Sequence, residues 1–95
     1  MSTKQYDGPI DLEQLAVNLP LMSVSNIARK IRVDWKKVYF GAVPYLQAMS
    51  GLVSVGDHYG LDSGKSIVAY FLANASTWKG PVAKLVKAEL NRRIK

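Results

Sequence analysis

The chain holds 95 residues, 48% of them hydrophobic, with no cysteine and a formal net charge of +6 at neutral pH. That length fits one domain with one core and leaves no room for a deep cleft between two lobes. The absence of cysteine excludes disulfide staples, thiolate metal sites and thiol nucleophiles, and the longest apolar run, Ile67 to Ala73, falls far short of the roughly 20 residues a membrane helix needs.

Residues 1–9 read as a flexible N-terminal arm that ends in an Asp7-Gly8-Pro9 turn and carries no apolar secretory run, and 10–95 as a single helical domain. Asp11 caps a short helix through about Asn18, with Leu12, Leu15 and Leu19 at helical spacing, and Pro20 closes it. Ser23 or Ser25 caps the next helix, in which Val24, Ile27, Ala28, Ile31, Trp35 and Val38 recur at steps of three and four. That spacing predicts one continuous amphipathic helix over 24–38, with Arg29, Lys30, Arg32, Lys36 and Lys37 opposite the apolar arc and Trp35 in the core.

Gly41 and Pro44 then punctuate the chain, and a third helix is expected from about Ala42 to Ser50, with Tyr45, Leu46 and Met49 inward. Residues 51–62 hold three glycines and no helical period, which predicts a loop with a short extended piece at Leu52, Val53 and Val55. Asp62 or Ser63 caps a helix over 64–75 whose Ile67, Val68, Tyr70, Phe71 and Leu72 lie all around its axis, as in a helix buried on most sides. Pro81 opens a last helix that reaches the C-terminus with Val82, Leu85, Val86, Leu90 and Ile94 inward. The expected fold is all-α: a compact bundle of four to five short helices around the central 64–75 helix.

No catalytic motif survives inspection. Gly64-Lys65-Ser66 opens a helix as a phosphate loop does, but Tyr59 stands where that motif needs its first glycine, and no convincing strand precedes it. His58 is the only histidine, so neither a zinc site nor an acid–base pair with Asp57 has its remaining parts, and Glu13 and Glu89 are the only glutamates. The expectation is a non-enzymatic protein with no cofactor and no metal. A helix-turn-helix reading places a recognition helix near Asp34 with Lys36 and Lys37 toward DNA, but Arg32 stands at the usual glycine of the turn and Gly41 at a late apolar position.

The charge is unevenly distributed. Residues 1–23, 24–50, 51–77 and 78–95 carry −2, +4, −1 and +5, so two segments hold the positive field. Arg29, Lys30, Arg32, Lys36 and Lys37, assisted by Lys84, Lys87, Arg92 and Arg93, are candidate contacts to nucleic-acid phosphates, although such a face also serves plain solubility. The rival expectation is a protein–protein module, a host-protein inhibitor or a self-associating component, with Tyr39, Phe40, Tyr59 and Trp78 as the contact.

The stretch Tyr39-Phe40-Gly41-Ala42-Val43-Pro44-Tyr45-Leu46-Gln47-Ala48-Met49, with residues 59–72 and Ala75-Ser76-Thr77-Trp78-Lys79-Gly80-Pro81, resembles small uncharacterised proteins of tailed bacteriophages and prophages. The resemblance spans about residues 25–95. It implies a phage-type accessory protein in the cytoplasm of a bacterial host, with nucleic acid or a host or phage protein as partner, and it assigns no chemistry to any residue.

Overall fold

The computed structural model describes residues 8–95; of the expected arm, residues 1–7 lie outside that range. Five helices follow: α1 Leu12–Asn18, α2 Val24–Asp34, α3 Val43–Met49, α4 Gly64–Ala73 and α5 Pro81–Ile94. Single 3-10 turns at Leu19–Leu21 and Phe40–Ala42 lead into α2 and α3, and a two-stranded antiparallel hairpin, β1 His58–Tyr59 with β2 Asp62–Ser63, precedes α4. The chain is thus mostly helical but not all-α. The pairing of His58 with Ser63 and Tyr59 with Asp62 spans too few residues to leave a two-residue period in the sequence.

The helix starts follow from their caps. The Asp11 carboxylate accepts from the amides of Glu13 and Gln14, Ser23 Oγ from Asn26 and Ser63 Oγ from Ser66, and Pro81 stands in the first turn of α5. The loop after α3 does more than connect. The carbonyls of Val53 and Leu52 accept from the first two amides of α2, Val24 and Ser25, at 2.9 and 2.8 Å. Together with Ser23 they leave the buried start of that helix with no orphan donor. The expected extended piece at Leu52 to Val55 is therefore a cap supplied from a distance.

One core fills the molecule, built from Leu15, Val24, Ile27, Ile31, Leu46, Met49, Leu52, Val68, Phe71, Trp78, Val82, Val86 and Leu90 among others. α2 packs on α3 and α5, α4 packs on the same two helices, and α1 with its following turn rests on α5. The 64–75 helix is not enclosed all round. Its buried side is Gly64, Ile67, Val68 and Phe71, while Ala69 and Tyr70 face solvent. Gly64 is required where it stands: a Cβ there would lie 2.9–3.0 Å from the carbonyl oxygens of Val55, Asp57 and Ser54, against which the start of α4 is pressed. Among the described residues no helix is long and apolar enough to cross a membrane.

Candidate functional site

α2 presents Arg29, Lys30 and Arg32 to solvent, as its period requires. Lys36 and Lys37 are also exposed, but they are not on that helix, because α2 ends at Asp34. The cause is tertiary. Asp34 accepts a hydrogen bond from the indole N–H of Trp78 at 2.9 Å, and Trp35 leaves helical geometry at φ −93° and ψ 87°. The Trp35 ring then stacks on Trp78, centroids 5.7 Å apart and planes 11° apart, and meets Phe71 edge-on at 6.2 Å. The helix-turn-helix reading falls with the same facts: α2 runs unbroken through Arg32, and residues 35–39, where a recognition helix would begin, are not helical.

Trp78 is 2% exposed, so it leaves the set of surface contacts proposed for a protein partner. Its stacking on Trp35, its edge contact with Phe71 and its bond to Asp34 make it a centre of the core. The other three of that set are on the surface: Tyr39 and Phe40 as an adjoining pair with centroids 4.8 Å apart, and Tyr59 on the hairpin.

The same tryptophan contact joins the two positive segments. Lys36 and Lys37 follow Trp35 directly, Lys79 follows Trp78, and Lys79, Lys84 and Lys87 line a depression of about 410 Å³ beside Trp78 at the start of α5. Spacing gives no sign that Lys79 stands with Lys84 and Lys87; the burial of its neighbour Trp78 puts it there. Lys87 is half-buried, donates to the Trp78 carbonyl at 2.6 Å and lies 5.9 Å from its ring centroid. Burial first, and then the charge of Lys79, pull its pKa below the ordinary lysine range.

Arg92 and Arg93 serve a different purpose. Both pair with the buried Glu89, Arg92 through Nη2 at 2.5 Å and Arg93 through Nε at 2.7 Å, and Arg93 also donates to the Leu19 carbonyl at 2.7 Å. The hydrogen bond from Arg92 chiefly, and that from Arg93, hold the Glu89 carboxyl below the usual range against the opposing effect of burial. With its side chain only 14% exposed, Arg93 ties α5 to the turn after α1 and is withdrawn from the candidate surface, while Arg92 remains at the rim. Among the described residues Glu89 pairs with Arg92 and Arg93, whereas Arg29, Lys30, Arg32, Lys36, Lys37, Lys79 and Lys84 are exposed.

A second concavity lies between the turn after α1 and the outer side of α2. It measures about 520 Å³ and is lined by Leu21, Met22, Asn26, Arg29, Lys30 and Val33 with Asn18. The periodicity gave no sign that Leu21, 85% exposed, would stand at its edge.

His58 is exposed on β1, and its neighbour Asp57 is engaged by the backbone. The Asp57 carboxylate accepts from the amides of Ser54 and Val53 at 3.1 and 3.0 Å, which lowers its pKa. The amide of Gly64, which a phosphate at the start of α4 would want, donates instead to the Asp57 carbonyl at 2.6 Å. Among the described residues no three His, Cys, Asp or Glu side chains gather as a metal site would require. Comparison of the chain with protein-family models, with curated proteins and with solved structures finds no match, so its function is read from these side chains alone.

Proposed function

We propose that this protein is a non-enzymatic accessory protein of the phage type, acting in a bacterial cytoplasm, that binds nucleic acid through a basic surface. Lys36, Lys37, Lys79 and Lys84 form its centre, Lys87 lies behind them, and Arg29, Lys30 and Arg32 extend it along α2. The observation that carries the reading is the meeting of the two positive segments at the Trp35–Trp78 stack. Asp34 is the carboxylate at that point and is engaged by the Trp78 indole, and no carboxylate occurs in the sequence from 35 to 56 or from 63 to 88, so lysines dominate the charge of the chain around it. Phosphates neutralised by such a surface release counterions, which drives binding without base contacts.

Fluorescence anisotropy of a labelled random-sequence duplex, titrated at about 50 and about 200 mM salt, tests this. Binding at the lower salt with a steep loss at the higher supports it. So does weakened binding by a Lys36→Glu/Lys37→Glu variant whose helical circular dichroism is intact. No binding at low salt, either of the duplex or of a single strand of equal phosphate count, removes the reading.

A second reading, a protein-interaction module, draws on the concavity where exposed Leu21 and Val33 adjoin Arg29 and Lys30. An apolar contact of that kind responds little to salt, so the same titration against a captured host protein separates the two.

A further inference from the structure

We infer that the nucleic acid bound is single-stranded, with bases stacked on an exposed aromatic surface led by Phe40; the inference rests on the nucleic-acid reading above. Phe40 is 79% exposed, Tyr39 43% and Tyr70 57%, an unusual outlay of large apolar rings in a domain whose core is otherwise well filled. They belong to one region. The Tyr39 ring adjoins that of Phe40 and reaches back over Gly41, where a Cβ would come within 2.5 Å of its Cε2 and 2.9 Å of Asn74 Oδ1. Asn74 ends α4 and donates through its side chain to the Tyr70 carbonyl, one helical turn earlier. Tyr70 in turn stacks on Tyr45, centroids 5.4 Å apart. Two ring pairs, Tyr39 with Phe40 and Tyr45 with Tyr70, thus flank Asn74, which lies near the Tyr39 ring and bonds to the Tyr70 backbone.

Charge identifies the occupant. Lys36 and Lys37 lie four and three residues before Phe40, and four extended residues span at most about 14 Å, so the backbone carrying these two exposed lysines lies within a few nucleotides' length of the ring. The segments that build the surface, 36–49 and 69–81, contain no carboxylate. A ligand that suits them must bring flat unsaturated faces and negative charge together. A duplex hides its base faces within its own stack and gives the rings nothing, whereas an open strand presents both.

The experiment compares a labelled oligothymidine with a duplex of equal phosphate count on the wild-type chain, Phe40→Ala and Phe40→Leu. The wild type is expected to prefer the oligothymidine. Both variants are expected to lose roughly 5- to 150-fold on the single strand, the range for removal of one stacked base, and to keep the duplex affinity and the helical circular dichroism. Equal or better binding of the duplex by the wild type overturns the single-strand assignment and leaves the nucleic-acid reading standing. Full single-strand affinity in Phe40→Ala, or in Phe40→Leu, which keeps the apolar bulk without the π face, overturns the stacking. A wild-type chain that binds neither probe overturns both readings.

Discussion

The indole N–H of Trp78 donates to the carboxylate of Asp34, 44 residues earlier, at 2.9 Å. This bond closes the C-terminal end of α2 onto the turn before α5, and the stack of Trp35 on Trp78 lies directly behind it. Replacing Asp34 by Ala deprives the buried indole of its acceptor and is expected to cost about 1–3 kcal/mol. Both tryptophans are in the core, so their fluorescence reports the shifted denaturation midpoint directly.

The Glu89 carboxylate, paired with Arg92 and Arg93, is more acidic in the fold than in the unfolded chain. Its contribution to stability is therefore complete above the ordinary glutamate range, near pH 4–5, and is lost as pH falls through the lowered value. Glu89→Gln is expected to lower stability by roughly 2 kcal/mol at pH 7. The gap from wild type should narrow as the pH is taken below that range, which thermal melts at several pH values would show.

Lys36 and Arg93, both positive, should behave differently in a binding assay. Lys36→Gln is expected to reduce the slope of log affinity against log salt by about 1 and leave the melting temperature unchanged. Arg93→Gln removes the contacts to Glu89 and to the Leu19 carbonyl, so it should lower the melting temperature and leave the salt slope near that of the wild type.

Gly64→Ala reverses the usual benefit of alanine in a helix. The added methyl meets three loop carbonyls at 2.9–3.0 Å, so the variant is expected to lose about 1–3 kcal/mol rather than gain. Chemical denaturation of the two proteins decides it.

The helices were legible because their information is local: Asp11, Ser23, Ser63 and Pro81 start α1, α2, α4 and α5 where capping chemistry says they should. What misled lies in contacts between distant residues. Trp35 and Val38 continue the apolar period of α2, yet the pull of Trp78 and Phe71 on the Trp35 ring ends the helix four residues early. Trp78 sits in a polar turn and gives no local sign of burial. For the candidate surface, Arg29, Lys30, Arg32, Lys36 and Lys37 were readable as outward charges, while the engagement of Arg93 by Glu89 and Leu19 depends on a fold-wide approach that spacing does not encode.

The capping of α2 by the carbonyls of Leu52 and Val53 has a consequence for any attempt to isolate the basic helix. An 11-residue helix is marginal by itself in water, and this one borrows the acceptors for its first two amides from a loop nearly thirty residues downstream. A synthetic peptide covering 23–37 would therefore carry the charge without the shape. It should attract polyanions as a loose polycation does and lack the fixed spacing of Arg29, Lys30 and Arg32 that the intact domain imposes.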